Sequence, residues 1–275
     1  MNRSMITASV TMGQLQNQLD TIANNIANSN TDGFKRRDVQ FSSLLAQEIN
    51  NQPNQDAEIG RLTPEGIRLG SGARVAGTVL RLEQGGIIET GRSLDLALLN
   101  PNILFQVQKT LENGDEIVEY TREGSFYLTP VDGNPERLQL TASNGDLVMG
   151  ENGPIEIPSD FTSISVSGEG LVEVTLADQT TVNAGQLSLV EVIQPQLLES
   201  AGENRYRVSE TADLNEVIGQ PEANGNFIQQ GSLEQSNVNL AQEMTQLMTT
   251  QRSYQMNARS IKMADQMMGL VNSIR

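Results

Sequence analysis

The side chains that most often do chemistry are sparse in this sequence, and their arrangement builds no reaction centre. The 275 residues contain no histidine and no cysteine. That removes the usual general base, the commonest metal ligand, thiolate nucleophiles and disulfides. Carboxylates remain, and Asp95, Asp115, Glu116 and Asp146 fall near turns. A paired acid and base there could move a proton, but none of the four has a partner at a useful spacing. The turn Asp132-Gly133-Asn134 lacks the Asp/Asn ladder and terminal Glu of a calcium loop, and Gly70-Ser71-Gly72 lacks the lysine and spacing of a phosphate loop. All of these read as solvated turn residues. No catalytic residue, cofactor or metal ligand is predicted, and an enzyme is the weakest reading.

What the chain does carry is a pair of helical segments at its two ends. Met5, Ala8, Met12, Leu15, Leu19, Ile22 and Ile26 recur at alternating steps of three and four, the spacing that holds one helix face against another helix. Leu240, Met244, Leu247, Tyr254, Ala258 and Ile261 repeat the rhythm, interrupted by Gln251, and Ala264, Met268 and Val271 continue it out of phase. A second row, Met256, Met263, Met267, Leu270 and Ile274, lies off that seam. Two apolar rows on one helix require more than one packing partner. A single helix face gains little against the cost of ordering its backbone. These helices are therefore expected to pack on each other, as a stalk closed within one chain, or on their copies in neighbouring subunits.

The segments between them have a different character. With 37% hydrophobic and 4% aromatic residues and no tryptophan, the core is thin for this length, so extended modules are expected. Residues 163–167 and 171–176 alternate with period two around Gly168-Glu169-Gly170, a hairpin signal. Similar runs at 103–109, 117–121, 125–129 and 187–193 are separated by Asn-Gly and Asp-Gly turns. Short strands and frequent turns predict a mostly antiparallel all-β unit. Residues 47–66 read as a long loop or extended arm, and 209–226 as an acidic connector. The charge follows the same division. Residues 1–48 sum to zero and residues 232–275 to +1, so the middle holds −17 of the total −16. An acidic surface argues against nucleic acid or anionic membrane as a partner. No run approaches the ~20 apolar residues that span a bilayer, and the start, MNRSMITASVTMG, lacks the apolar run of a cleaved signal peptide.

Leu19 to Lys35 reads LDTIANNIANSNTDGFK. The helix is expected to run through Asn24-Asn25 and stop near Asn28, because Asn30, Asp32 and Gly33 favour turns and positive φ. Phe34 is expected to fold back over the helix end. This stretch resembles the N-terminal signature of the flagellar rod and hook proteins, the axial family of the bacterial flagellum. The matching positions are Leu19, Asp20, Ile22, Ala23, Asn24, Asn25, Ala27, Asn28, Asn30, Thr31, Gly33, Phe34 and Lys35. Residues 231–239 (GSLEQSNVN), continuing to Glu243-Met244 and Gln251-Arg252-Ser253-Tyr254, resemble the companion signature. Residues 72–75, 84–86, 90–97, 105–108 and 120–126 resemble distal-rod proteins in particular. Residues 100–104 (NPNIL) depart from the family pattern, which usually has a glycine-rich turn there.

The resemblance implies a mixed α and β fold, with N- and C-terminal α-helices pairing as a coiled-coil-like stalk and an all-β middle domain. The expected divisions are an assembly helix at 1–30, an extended arm at 31–72, a mostly β middle at 73–230 and a second assembly helix at 231–275. It implies a structural subunit that polymerises into the distal rod, carries torque to the hook and encloses a channel. The implied partners are copies of itself, neighbouring rod proteins, the hook protein and the flagellar type III export apparatus, which would take the chain out without a cleaved signal. Self-assembly is expected to involve Met12, Leu15, Leu19, Ile22, Asn24, Asn25, Ile26, Asn28, Asn30, Gly33 and Phe34. At the other end it is expected to involve Ser236, Asn237, Val238, Met244, Leu247, Gln251, Arg252, Tyr254, Ile261 and Met268. Alternatives are a proximal-rod or hook protein of the same family and, from another class, a coiled-coil-anchored adhesin or phage fibre.

Overall fold

A computed structural model of the chain describes residues 2–43, 46–49, 67–70, 73–110, 115–131, 133–209, 212–221 and 225–273. It opens with a helix, α1 (Asn2–Ala27), and ends with a longer one, α3 (Leu240–Ser273), with a four-residue helix, α2 (Leu214–Val217), between them. Among the described residues, the other regular elements are antiparallel strands and a short 3-10 helix, Pro195–Leu197. The described residues divide into two compact units. One holds Met1–Ile26, Arg37–Val79 and Leu240–Arg275, and the other Ala27–Arg36 and Leu80–Asn239. No described helix is long and apolar enough to cross a membrane.

In the first unit, α1 and α3 are built from a sequence rich in Thr, Ser, Asn and Gln. Thr11, Thr21, Thr245, Thr249, Thr250, Ser253 and Ser260 each donate their hydroxyl to the carbonyl four residues earlier, which satisfies them without tertiary partners. Helix α3 is mostly exposed, α1 is half-buried along much of its length, and each has a covered line. On α1 this line runs through Ala8, Met12, Leu15, Leu19 and Ile22, the positions the sequence pattern selects. On α3 the covered line holds Leu247, Tyr254, Ala258, Ile261, Ala264 and Met268 of the sequence pattern, together with Glu243, Thr250 and Asn257. Leu240 and Met244, where the pattern starts, are exposed, as is Gln251. Polar residues at three covered positions hid where the line begins.

The arm is partly a β-ribbon. The strand Arg37–Ser43 pairs with Ala73–Leu80, and Ala46–Ile49 pairs with Ile67–Gly70 from Ala46 opposite Gly70 to Ile49 opposite Ile67. The strand Ala46–Ile49 therefore overlaps the segment expected to be a loop from residue 47; residues 50–66 lie outside the described residues. Gln14 of α1 accepts a 2.6 Å hydrogen bond from the Val75 amide, tying the ribbon to that helix.

The second unit is organised on the strand Ile103–Thr110, which pairs with Glu116–Thr121, Leu147–Gly150 and Leu189–Val192. Its side chains alternate between two cores. Ile103, Phe105 and Val107 enter one with Phe126, Ile157, Val172 and Val174, and Phe105 meets Phe126 edge to face at 5.1 Å. Leu104 enters the other with Leu80, Leu82, Tyr120, Tyr206 and Val217. A separate three-stranded sheet, Phe161–Val166, Leu171–Leu176 and Thr181–Gln186, supplies the predicted hairpin, with Gly170 at φ +89°. Strands beyond the expected set also appear, among them Asn134–Thr141, Leu147–Gly150, Thr181–Gln186 and Arg205–Val208. The connector at 209–226 also carries α2 and a two-residue strand, Ile218–Gly219, on Leu189–Val192.

Candidate functional site

The residues expected to act in assembly lie at two places. In the first unit, Met12, Leu15, Leu19, Ile22, Leu247, Tyr254, Ile261 and Met268 lie on the covered lines, while Asn24, Met244, Gln251 and Arg252 are on exposed faces. Asn25 is buried, and its Nδ2 donates to the Arg37 carbonyl at 2.9 Å and to Glu243 Oε2 at 3.3 Å, while its Oδ1 accepts from the Arg37 amide at 3.1 Å. Ile26 is half-buried. The outer face of α3 carries Leu240, Met244, Met248, Met256, Met263, Met267 and Leu270, all exposed. Methionine's flexible, polarizable side chain suits such a row to packing against varied surfaces.

In the second unit, Asn28 to Lys35 turns back on the chain's own body. Thr31 and Phe34 donate their amides to the carbonyls of Asn28 and Thr31, and Gly33 takes φ +68°, as the turn requires. The Gly33 amide donates to the Glu234 carbonyl at 2.7 Å. A Cβ at Gly33 would lie 2.7 Å from the Arg122 carbonyl carbon and the Glu123 nitrogen. Phe34 is buried, and Asn30 is exposed. Asn237 completes the fastening: its Oδ1 accepts from the Arg36 amide at 2.7 Å, and its Nδ2 donates to the carbonyls of Arg81 and Glu83, both at 2.9 Å. Ser236 and Val238 beside it are half-buried.

At the centre of this turn sit three buried charges that the sequence did not single out. Lys35 Nζ lies 2.7 Å from Glu234 Oε1, and Arg122 Nε lies 2.5 Å from Glu234 Oε2, with all three side chains essentially sealed from water. Lys35 also donates to the carbonyls of Glu83 at 2.8 Å and Leu82 at 3.4 Å. The Arg122 guanidinium donates to the carbonyls of Asn100 at 2.6 Å, Leu98 and Pro101 at 3.2 Å, and Ile103. Glu234 Oε1 accepts from the Gly85 amide as well, at 2.8 Å. Gly85 must be glycine because a Cβ would collide with the Gln235 carbonyl. The departure at residues 100–104 is resolved here: the chain still turns, closed by Ile103 N to Asn100 O, and its carbonyls face the Arg122 cation. Burial and the neighbouring Arg122 charge lower the Lys35 pKa to about 8, although Glu234 pulls it upward, and burial lowers that of Arg122. The sequence signal was available only as three motif-like strings, each carrying one charge that looked solvated.

These strings are the ones that match known proteins. Residues 5–35 match the family described as flagella basal body rod protein, residues 102–174 the flagellar hook protein FlgE/F/G D1 domain, and residues 229–274 the flagellar basal body rod FlgEFG protein C-terminal family. The chain is 42% identical over its whole length, and over the whole of the relative, to the flagellar hook-basal body complex protein FlhP of Bacillus subtilis. The chain belongs to the flagellar basal-body rod protein family. It is also 36% identical to the flagellar basal-body rod protein FlgG of Buchnera aphidicola, over 92% of each chain, and 33% identical to that of Borreliella burgdorferi, over 100% of this chain and 99% of the relative. As a member of the rod family it is a structural subunit of the flagellar basal body. The two end segments expected to match did so, and the buried cluster joins one residue from each of the three matched regions.

Proposed function

We propose that this rod subunit polymerises through its end helices into the distal part of the rod. In this reading α1 and α3 of one copy pair as a coiled-coil-like stalk, and the stalks of neighbouring copies form the wall of a channel. The shaft carries torque to the hook. The chain reaches that position through the flagellar type III export apparatus without a cleaved signal peptide, and it contacts neighbouring rod proteins and the hook protein.

One observation carries the reading. The helix α3 has a covered line, beginning with Glu243 beside Asn25 of α1, and a separate exposed row from Leu240 to Leu270. A helix with two apolar faces needs a second partner, and copies of the same chain supply it in a repeating polymer. Met12, Leu15, Leu19, Ile22, Ile26, Leu247, Tyr254, Ile261 and Met268 then serve the stalk, and Met244 is the part of the proposed site on the outer row. Asn24, Gln251 and Arg252 serve contacts between copies. Asn25 fixes the helix ends, while Asn28, Asn30, Gly33, Phe34, Ser236, Asn237 and Val238 set where the chain enters and leaves them.

The test is electron microscopy of basal bodies purified from a strain lacking this protein. A rod truncated before the hook supports the distal position. Intact rods and hooks would exclude it, and loss of the rod from its base would favour a proximal position.

A further inference from the structure

The buried cluster is unequal in charge. Two cations, Lys35 and Arg122, share one carboxylate, Glu234, and all three are buried. Arg122 is fully engaged by the body of the second unit, with four backbone carbonyls around its guanidinium besides Glu234. Arg122 and Glu234 therefore form a balanced pair with its hydrogen bonds satisfied. Lys35 is surplus to that balance. It is nevertheless held by three acceptors, Glu234 Oε1 and the carbonyls of Leu82 and Glu83.

The surplus cation sits on the one segment that has to be placed. Lys35 follows Gly33, whose amide bonds the Glu234 backbone, and precedes Arg36, whose amide bonds Asn237. The Asn237 amide also donates to the Phe34 carbonyl, so within four residues the chain is tied three times to the strand Ser232–Glu234 and its continuation, and the lysine adds a charge-assisted bond to Glu234. A lysine retained in a sealed site where it lacks a counter-charge of its own is costly to bury, and it is the kind of group kept for register rather than for stability.

We infer that Lys35 is a positioning clasp: it seats the 27–36 turn on the preformed Arg122–Glu234 pair and so fixes the place at which the N-terminal segment joins the body. The bond Lys35 makes is specific because Glu234 Oε1 is aimed by Gly85 and Oε2 is already taken by Arg122. The turn cannot slide by one residue without bringing Phe34 or Arg36 to a site shaped for an ammonium group. The use of the clasp in assembly rests on the rod reading, whereas its existence rests on this geometry alone.

The asymmetry gives the test. In the full-length protein, Lys35→Met leaves the balanced pair, so the melting temperature of the second unit should stay the same or rise, yet the amides of Gly33, Phe34 and Arg36 should exchange at least tenfold faster. Glu234→Gln leaves two buried cations facing a neutral amide and should lower the melting temperature. Adding Lys35→Met to Glu234→Gln should recover part of that loss, and Lys35→Arg should restore slow exchange only in part. Unchanged exchange at those three amides in Lys35→Met, or a Glu234→Gln protein as stable as the parent, would overturn the clasp whatever the cells do. Faster exchange with impaired swimming supports its use in assembly. Faster exchange with normal swimming overturns that use, and leaves the rod reading to stand or fall on the basal-body micrographs.

Discussion

Asn25 and Glu243, 218 positions apart in sequence, meet through a 3.3 Å hydrogen bond with both side chains buried. The same asparagine closes two hydrogen bonds with the Arg37 peptide. One amide group thereby joins the last turn of α1, the first turn of α3 and the start of the ribbon. An amide is suited to this because it donates and accepts at once. Asn25→Leu leaves the Arg37 peptide and Glu243 without these bonds and should cost about 1–3 kcal/mol. Asn25→Asp, which sets a carboxylate against Glu243, should cost more. The order parent, Asn25→Leu, Asn25→Asp in helical melting by circular dichroism checks this, and equal melting of the two variants would contradict it.

The covered lines of the helices can be tested without disturbing the second unit. Leu19→Asp, and separately Leu247→Asp, place a carboxylate on those lines. Burying it costs several kcal/mol or forces it to take up a proton, and every copy in a polymer would meet that penalty. Both variants should be folded in the second unit, with its thermal transition preserved, and cells carrying them should form no hooks. Normal hook counts in both strains would show that assembly does not depend on the stalk these lines are proposed to form.

Two glycines should respond in opposite ways. Gly33 combines φ +68° with backbone atoms 2.7 Å from where a Cβ would stand, so Gly33→Val should dislodge the turn and impair assembly. Gly13 is inside α1 with nothing within 4 Å of its missing Cβ. Gly13→Ala should therefore stabilise α1, by about 0.5–1 kcal/mol. Helix content and motility of the two variants decide the matter, and wild-type motility in Gly33→Val would remove the turn's importance.

Lys35 also gives stability a pH signature. Its pKa is about 8 in the folded chain and 10.5 for the ordinary group. Between those values the unfolded chain binds the proton that the folded chain has released. The contribution of Lys35 to stability therefore rises as pH rises through that window. Urea midpoints measured from pH 7 to pH 11 should climb for the parent relative to Lys35→Met. A flat difference between the two proteins would contradict the buried, charged state at neutral pH.

The second unit should be sensitive to salt. It holds nine Lys and Arg against twenty-six Asp and Glu, and Lys35, Arg122 and Arg205 are turned inward. Arg205 is bonded to Glu119 at 3.2 Å and also to Asp146 and Glu203. The remaining surface repels itself, and that repulsion is screened over a Debye length of about 10 Å at 0.1 M salt. Melting temperature should rise between low and moderate sodium chloride. A fall would mean that the ion pairs outweigh the repulsion.

Much of this architecture is legible from the residues, for identifiable reasons. The line on α1 was readable because Ala8, Met12, Leu15, Leu19 and Ile22 keep an unbroken apolar spacing of three and four. The line on α3 was read correctly at Leu247, Tyr254, Ala258, Ile261, Ala264 and Met268, but its start was misread, because Glu243 occupies the covered position while Leu240 and Met244 are exposed. The hairpin ending at Leu176 was legible from strict alternation about Gly170. The ribbon pairing of Ala46–Ile49 was not, since the sequence AQEI lacks the period-two alternation that marks a strand. The Lys35–Arg122–Glu234 cluster was invisible for a different reason. Its members are scattered over two hundred positions, and a charge bonded to a distant partner looks in sequence like any solvated one.

The strand Ile103–Thr110 feeds both cores from its two faces, with Phe105 on one side and Leu104 on the other. A load that pulls this strand loose empties both cores together, and the carbonyls of Ile103 and its preceding turn go with it from Arg122. The two cores are therefore expected to loosen together rather than one at a time. Compliance in a shaft of such subunits is then expected at the seams between copies rather than within one core.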